Sequence, residues 1–209
     1  RQQRAGALRL IMDSRRTAPF PAVEQPARAD VRAALPLRIG LLTGADDRPY
    51  ALGLAGGLLA RGVGVDFIGS DQVHADELAA DPLLRFLNLR GDQSESAGVA
   101  AKALRLLRYF ARLLGYALTA EPKVFHILWN NKFEWFDRTL LMLIYRALGR
   151  RVVLTAHNVN KAKRDGHDSA FNRATLRIQY RLASHVFVHT ETLRGARRRD
   201  FGMAHTRCS

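Results

Sequence analysis

The sequence has little cysteine, few lysines and no long apolar run. One cysteine, Cys208, among 209 residues excludes an intramolecular disulfide and a cysteine-cluster zinc site. A reducing cytoplasm is therefore the compartment we expect. The best apolar run, Leu140 to Tyr145, is far shorter than the ~18 residues that a membrane-spanning helix needs. The hydrophobic fraction of 47% is nevertheless too high for a wholly disordered chain, so we predict one globular domain.

The charge of the chain is strongly basic, with 33 Lys and Arg against 19 Asp and Glu, a net charge of +14. Such a charge attracts the phosphates of nucleic acids, anionic lipids or nucleotides, and compositional bias is an equally good explanation. Arginines scattered along the chain carry most of it. No nucleic-acid motif and no aromatic platform accompanies the Arg197-Arg198-Arg199 cluster, so we expect no specific nucleic-acid partner.

Short apolar runs alternate with helical patterns between residues 37 and 202. Residues 1–36 carry four prolines and no sustained period, which predicts a basic, poorly ordered leader, and residues 203–209 form a short tail. The predicted strands are 37–43, 63–69, 83–89, 124–129, 152–156 and 185–190. The predicted helices are 50–61, 94–118, 137–148, 169–182 and 191–200. This alternation predicts the α/β class, a Rossmann-like three-layer sandwich with a mainly parallel sheet.

The loop after the first strand is one candidate site, because ligands bind beyond the carboxyl ends of parallel strands. Its glycine, Gly44, could allow a backbone to approach a ligand, and Asp46 and Asp47 precede a helix whose free N–H groups attract anions. A tight turn in which Asp46 or Asp47 caps the helix explains the same residues equally well.

The loop after the fourth strand, 129–138, mixes amides, a cation and large aromatic side chains, with Asn131 and Lys132 at its centre. Aromatic rings pack against sugar rings while amides and lysines bind hydroxyls or phosphates, so this loop suits a sugar. The alternative is that Trp129 and Phe136 cap the hydrophobic core.

The loop after the fifth strand begins with His157 and continues through Asn158 and Asn160 to Arg164. An imidazole at a strand end can serve as a hydrogen-bond donor or a general base, although a lone histidine is more often structural. His126, inside the fourth strand, is predicted to be a core histidine.

His185 and His189 alternate on one face of the sixth strand. They could stack against neighbouring side chains, or they could be two ligands of a metal. The sequence offers no third ligand, so no metal site is expected.

A basic stripe on the long helix 94–118 consists of Lys102, Arg105, Arg108 and Arg112. Such a helix could lie on an anionic membrane surface, or the stripe could be the solvated face of a packed helix.

Four segments also carry a family resemblance in their order along the chain: Leu37 to Gly44, Phe125 to Lys132, Leu154 to Asn158, and His185 to Thr190 followed by Phe201-Gly202. They resemble the N-terminal half of bacterial family 4 glycosyltransferases, which have the GT-B fold, over about residues 37–202. The resemblance implies retaining transfer of a sugar from a nucleotide diphosphate donor to a glycan or lipid-linked acceptor, in a cleft between two Rossmann-like domains. It implies no required metal and no further cofactor.

The resemblance also implies roles for two residues. By position, Gly44 matches the family's glycine-bearing loop near the donor phosphates, and His157 matches the histidine that reaches the transferred sugar, here the catalytic candidate. Loop placement adds further candidate substrate contacts: Asp46, Asp47, Asn131, Lys132, Asn158, Asn160 and Arg164.

We expect these 209 residues to contain only the acceptor-side domain, since the family's donor-binding half would follow Phe201-Gly202. They should then be inactive alone, or nearly so, because catalysis needs donor and acceptor held together. The expected place is the cytoplasm, with peripheral contact at the inner membrane face. The alternative is a noncatalytic module that binds a glycan, a nucleotide or a protein partner through the same loops.

Overall fold

The computed structural model describes residues 37–44, 47–94, 96, 98–130, 133–157, 160, 166 and 168–189. The predicted leader, the helix predicted over 191–200 and the tail lie outside these residues.

Six strands form one sheet in which every pairing is parallel. They are β1 (Arg38–Leu42), β2 (Gly64–Gly69), β3 (Leu84–Asn88), β4 (Val124–Ile127), β5 (Arg151–Ala156) and β6 (His185–Val188). Their order in the sheet is β3-β2-β1-β4-β5-β6. All six predicted strands are present, and the predicted α/β, Rossmann-like class is confirmed.

Helices connect the strands and cover the sheet. They are α1 (Arg48–Leu59), α2 (Val99–Thr119), α3 and α4 (Ala170–Leu182), with a short 3₁₀ turn at Asp76–Leu78. The helix α3 runs in three consecutive pieces, Glu134–Phe136, a π-helical turn Asp137–Leu141, and Met142–Ala147. The four helices correspond to the predicted ones, with ends that differ by up to five residues.

The core lies in two clusters, one on each face of the sheet. On one face α1 buries Ala51, Ala55 and Leu59 against β1 and β2. On the other face the three remaining helices bury large side chains against β1, β4, β5 and β6. Those side chains include Tyr109, Leu113, Tyr116, Leu141, Met142, Tyr145, Leu176 and Tyr180. Helices on both faces explain why the strands are near-continuous apolar runs.

The start of α2 differs from the prediction, because the helix begins at Val99 and not at Ser94. The Ser94 amide donates to the carboxylate of Asp92 at 2.8 Å, and Arg105 donates to the Asp92 carbonyl at 2.8 Å. Side-chain hydrogen bonds of this kind compete with helix formation, and Asp92 to Ser94 lie outside the helix. Within the described part of the chain, no helix combines the length and the apolar character needed to cross a bilayer.

Candidate functional site

The sheet order places the ends of β1, β4, β5 and β6 side by side. The loops that follow these four strands therefore meet at one edge of the sheet, where parallel sheets bind ligands. This edge is the candidate site.

Four rings from different elements pack together at this edge. Trp129, just after β4, stacks on His157, just after β5, with ring centroids 3.9 Å apart and planes at 12°. Tyr50 of α1 meets both rings edge-on, at 5.7 Å from Trp129 and 5.0 Å from His157. His189, just after β6, is 4.8 Å from His157 and 5.5 Å from Tyr50. We call Tyr50, Trp129, His157 and His189 the ring cluster.

His157 contacts all three other rings of the ring cluster. Its Nδ1 lies 3.0 Å from Nε2 of His189, within hydrogen-bond distance. Its Nε2 is buried and has no hydrogen bond of standard geometry among the described residues. Burial, and then the neighbouring His189, lower the pKa of His157, while the carboxylate of Asp47 and the carbonyl of Leu128 act in the opposite direction. The ring is therefore biased toward the neutral form near pH 7.

Gly44 is required by the packing of its own loop. Its φ is +68°, a value that side chains rarely adopt. A Cβ there would lie 2.6 Å from the Cβ of Trp129. The space beside Gly44 is thus filled by Trp129, so close packing already accounts for the glycine and a phosphate contact there stays a prediction.

Asp47 caps α1. Its side-chain oxygen accepts the Tyr50 amide at 3.1 Å, in a residue with φ of 45°. This geometry matches the capping role that the sequence left open, and it fixes the start of the helix that carries Tyr50.

Asn160 anchors the loop after β5 to α4. It is buried, and its side-chain Oδ1 accepts from the side-chain amide of Asn172 at 2.9 Å. The side-chain Oδ1 of Asn172 in turn accepts from the buried Arg138 of α3 at 2.8 Å. Asp168 accepts from Asn172 and Arg173, and these hydrogen bonds lower its pKa to about 2. In the described structure the Asn160 side chain is bonded to α4, and its predicted substrate contact stays a prediction.

The end of β4 borders an open depression with ≈ 270 Å³ of empty space. Its lining includes Gly44, Trp129, Asn130 and Asp137, and Gly44 and Trp129 connect it to the ring cluster. Asn130 is held by Gln179 of α4, whose amide donates at 2.7 Å. Most of this space is open solvent, and the enclosed part has room for about one water molecule.

The aromatic side chains near the end of β4 divide into two groups. Phe136 packs against the core, as the alternative reading had it, and Trp129 is half-buried with one face taken by His157. Phe133 and Trp135 are about half exposed, so they are the aromatic rings still available to a ligand.

His126 is a core histidine, as predicted. It is buried, and its Nε2 lies 2.9 Å from the Thr155 hydroxyl. Burial, with a smaller effect of His185, lowers its pKa to about 4.

Five of the predicted contacts lie outside the described residues: Asp46, Asn131, Lys132, Asn158 and Arg164. Among the side chains that are described, no three His, Cys, Asp or Glu residues come together as metal ligands would.

Sequence reasoning missed two members of the site, Tyr50 and Asn172, and left His189 with two alternatives. Tyr50 is one of several apolar residues in a helical pattern, and nothing local distinguishes it. A signal for His189 did exist, since β5 and β6 pair in register at Ala156 and Val188 and each strand is followed directly by a histidine.

No protein-family model matches the sequence, and no curated protein does. Among solved structures, the chain is similar to the crystal structure of MurG from Acinetobacter baumannii, at 14% sequence identity and a TM-score of 0.48. The match covers 83% of this chain and 44% of MurG, so the chain spans less than half the length of that protein. The function is therefore argued from the strand ends themselves.

Proposed function

We propose that the chain is the acceptor-side domain of a retaining glycosyltransferase, which moves a sugar from a nucleotide-sugar donor to a glycan or lipid-linked acceptor. The observation that carries the proposal is the place of His157 at the ligand-binding edge of a parallel sheet, stacked on Trp129 and within hydrogen-bond distance of His189. The family resemblance of the sequence supports the same role for this residue.

The chemistry of the edge suits a sugar hydroxyl. A neutral imidazole carries one donor and one acceptor nitrogen, so His157 can form a hydrogen bond of either kind. A hydroxyl both donates and accepts, so it can bind either tautomer of His157. The exposed rings of Phe133 and Trp135 offer apolar surface next to the same loop.

Catalysis would need a second body that binds the nucleotide. Within the described residues, the strand ends supply His157, Asn130 and the capped start of α1. We therefore expect the 209 residues by themselves to transfer no sugar.

The test is product formation from UDP- and GDP-sugars with membrane lipid extract as acceptor. The chain is assayed alone and mixed with a separately expressed C-terminal domain of a family 4 glycosyltransferase. We expect turnover only in the mixture and a roughly 10- to 100-fold lower rate with His157→Ala, the effect of one lost hydrogen bond to a charged or reacting group. His185→Ala, at the opposite end of β6, is the matched control and should keep the rate.

Turnover by the 209 residues alone would contradict the expected inactivity. Mixtures without turnover, combined with saturable glycan binding that His157→Ala abolishes, would instead identify a noncatalytic binding module.

The proposal includes a membrane surface as partner, because α2 carries apolar side chains that no described element covers. Leu104, Leu107 and Leu118 are 47%, 67% and 64% exposed, and with Ala111 they follow a helical spacing. We call these four residues the leucine stripe. Arg108 and Arg112 are exposed beside it. Apolar side chains flanked by arginines fit the interface of an anionic bilayer, and we propose peripheral attachment at the cytoplasmic face.

Vesicle binding tests this partner. Replacing Leu104 and Leu107 together by serine should weaken binding to phosphatidylglycerol vesicles by about tenfold or more, because each buried leucine contributes about 1.5–3 kcal/mol. Leu140 and Leu143 of α3 are equally exposed, at 47% and 50%, so their double serine variant is the matched control. Equal loss in both variants, or equal binding to neutral phosphatidylcholine vesicles, would refute the proposed surface.

A further inference from the structure

The two histidines of the ring cluster face each other through specific nitrogens. Nε2 of His189 and Nδ1 of His157 are 3.0 Å apart, and the ring planes are inclined by 38°. Two neutral imidazoles at this distance form an N–H···N hydrogen bond, in which one ring donates and the other accepts.

The backbone holds this pair in place. β5 and β6 pair in register up to Ala156 and Val188, so His157 and His189 follow as direct neighbours on adjacent strands. Trp129 stacks on the His157 ring, and Tyr50 lies edge-on to both imidazoles. The His157 ring therefore has little freedom to turn, and a change of its tautomer requires a change in the hydrogen bond to His189.

We propose that His189 is a positioning residue, which occupies Nδ1 of His157 and holds that ring in a single tautomer. The second nitrogen of a histidine commonly sets the chemistry of the first in this way. The contact with a sugar hydroxyl rests on the proposed function, whereas the pairing of the two rings does not.

The pairing also gives Nε2 a defined role. If His189 donates, His157 keeps its proton on Nε2 and offers a donor; if His157 donates, Nε2 offers a lone pair. A mixture of the two forms would present donor and acceptor in turn, which weakens selection for one orientation of a bound hydroxyl. With His189 on Nδ1, one form changes into the other only if the protons of both rings move together, so we expect one form to predominate.

The experiment is ¹⁵N NMR of the imidazole rings in the full 209-residue chain, without any ligand, near pH 7.5. His157→Gln identifies the signals of His157 by their loss. We expect the wild-type chain to show one protonated and one unprotonated His157 nitrogen, with well-separated ¹⁵N shifts. His189→Phe keeps the aromatic ring but removes the nitrogens, so the two shifts of His157 should move toward a common average.

His189→Gln retains a side chain that can donate and accept, and it should preserve the separated shifts of His157. Amide signals of β1 to β3 serve as the check that each variant folds. Averaged His157 shifts in the wild-type chain would overturn the proposal even if no variant folds, and so would identical shifts in the wild-type and His189→Phe chains.

The outcome is independent of sugar transfer. No turnover in the mixture with the C-terminal domain, combined with a single His189-dependent tautomer, would refute the proposed function and leave the pairing intact. Turnover in the mixture, combined with a His157 tautomer that is unchanged in His189→Phe, would support the proposed function and refute the role of His189.

Discussion

Replacing Asp66 by alanine is expected to lower the free energy of unfolding by about 3–5 kcal/mol, the usual effect of removing one partner of a buried ion pair. Asp66 lies in β2 and is fully buried. One of its oxygens accepts from Arg38 of β1 at 2.9 Å, and the other accepts from Tyr116 of α2 at 2.9 Å and from Arg85 of β3. The single carboxylate thus joins three strands to the longest helix.

The size of the effect follows from the groups that remain in the variant. Arg38 is 18% exposed and would keep a mostly buried charge without its partner, and the Tyr116 hydroxyl would lose its acceptor. Both changes lower the free energy of unfolding further, in addition to the loss of the carboxylate's own hydrogen bonds.

Urea unfolding at pH 7 measures the effect. Asp76→Ala is the matched control, because Asp76 forms an ion pair with His74 and is 79% exposed. A surface pair of this kind contributes at most about 1 kcal/mol. If Asp66→Ala destabilised the chain no more than Asp76→Ala does, the network around Asp66 would have no structural importance.

Acidification is expected to destabilise the fold by about 3 kcal/mol through His126 alone. The pKa of His126 in the folded chain is about 4, against an ordinary value of 6.5, because burial disfavours the charged ring. Each pKa unit corresponds to ~1.4 kcal/mol, which sets the size of the effect.

The sign follows from proton binding. Between pH 6.5 and pH 4 the unfolded chain binds a proton that the folded chain does not, so the free energy of unfolding falls as the pH falls. The contribution is complete above pH 6.5, and the loss levels off below about pH 4.

Urea unfolding from pH 7 to pH 4 checks this prediction by comparison with His126→Gln. Glutamine can keep a hydrogen bond to Thr155 but does not titrate, so the variant should lose about 3 kcal/mol less than the wild-type chain over this range. His185→Gln is the matched control, since His185 is the histidine whose charge His126 senses. Equal pH dependence in the wild-type and His126→Gln chains would show that other groups control acid unfolding.

The strands of this fold could be predicted because their signal is local. Val63 to Gly69 and Val152 to Ala156 are rich in β-branched residues, and each follows a helical pattern of more than ten residues. The ends of helices were less certain, and α2 shows why. The hydrogen bonds that Asp92 and Ser94 form with each other and with Arg105 are side-chain details that a hydrophobic period does not contain.

The candidate site was predicted in part. The strand ends identified His157 and the glycine-bearing loop, since ligand sites of parallel sheets lie there. Packing, however, decided which of these residues had other tasks. Asp47 caps a helix, Gly44 accommodates Trp129, and Asn160 holds a loop against α4.

By itself the sequence determined the α/β class, the six strands and the edge of the sheet that carries the candidate site. These follow from the spacing of apolar residues, which acts over a few turns of chain. Only the tertiary structure decided that His189 meets His157 across 32 residues, and that Tyr116 meets Asp66 across 50. Such contacts depend on strand order and on the depth to which each helix packs, and both are set by the whole core and not by any one segment.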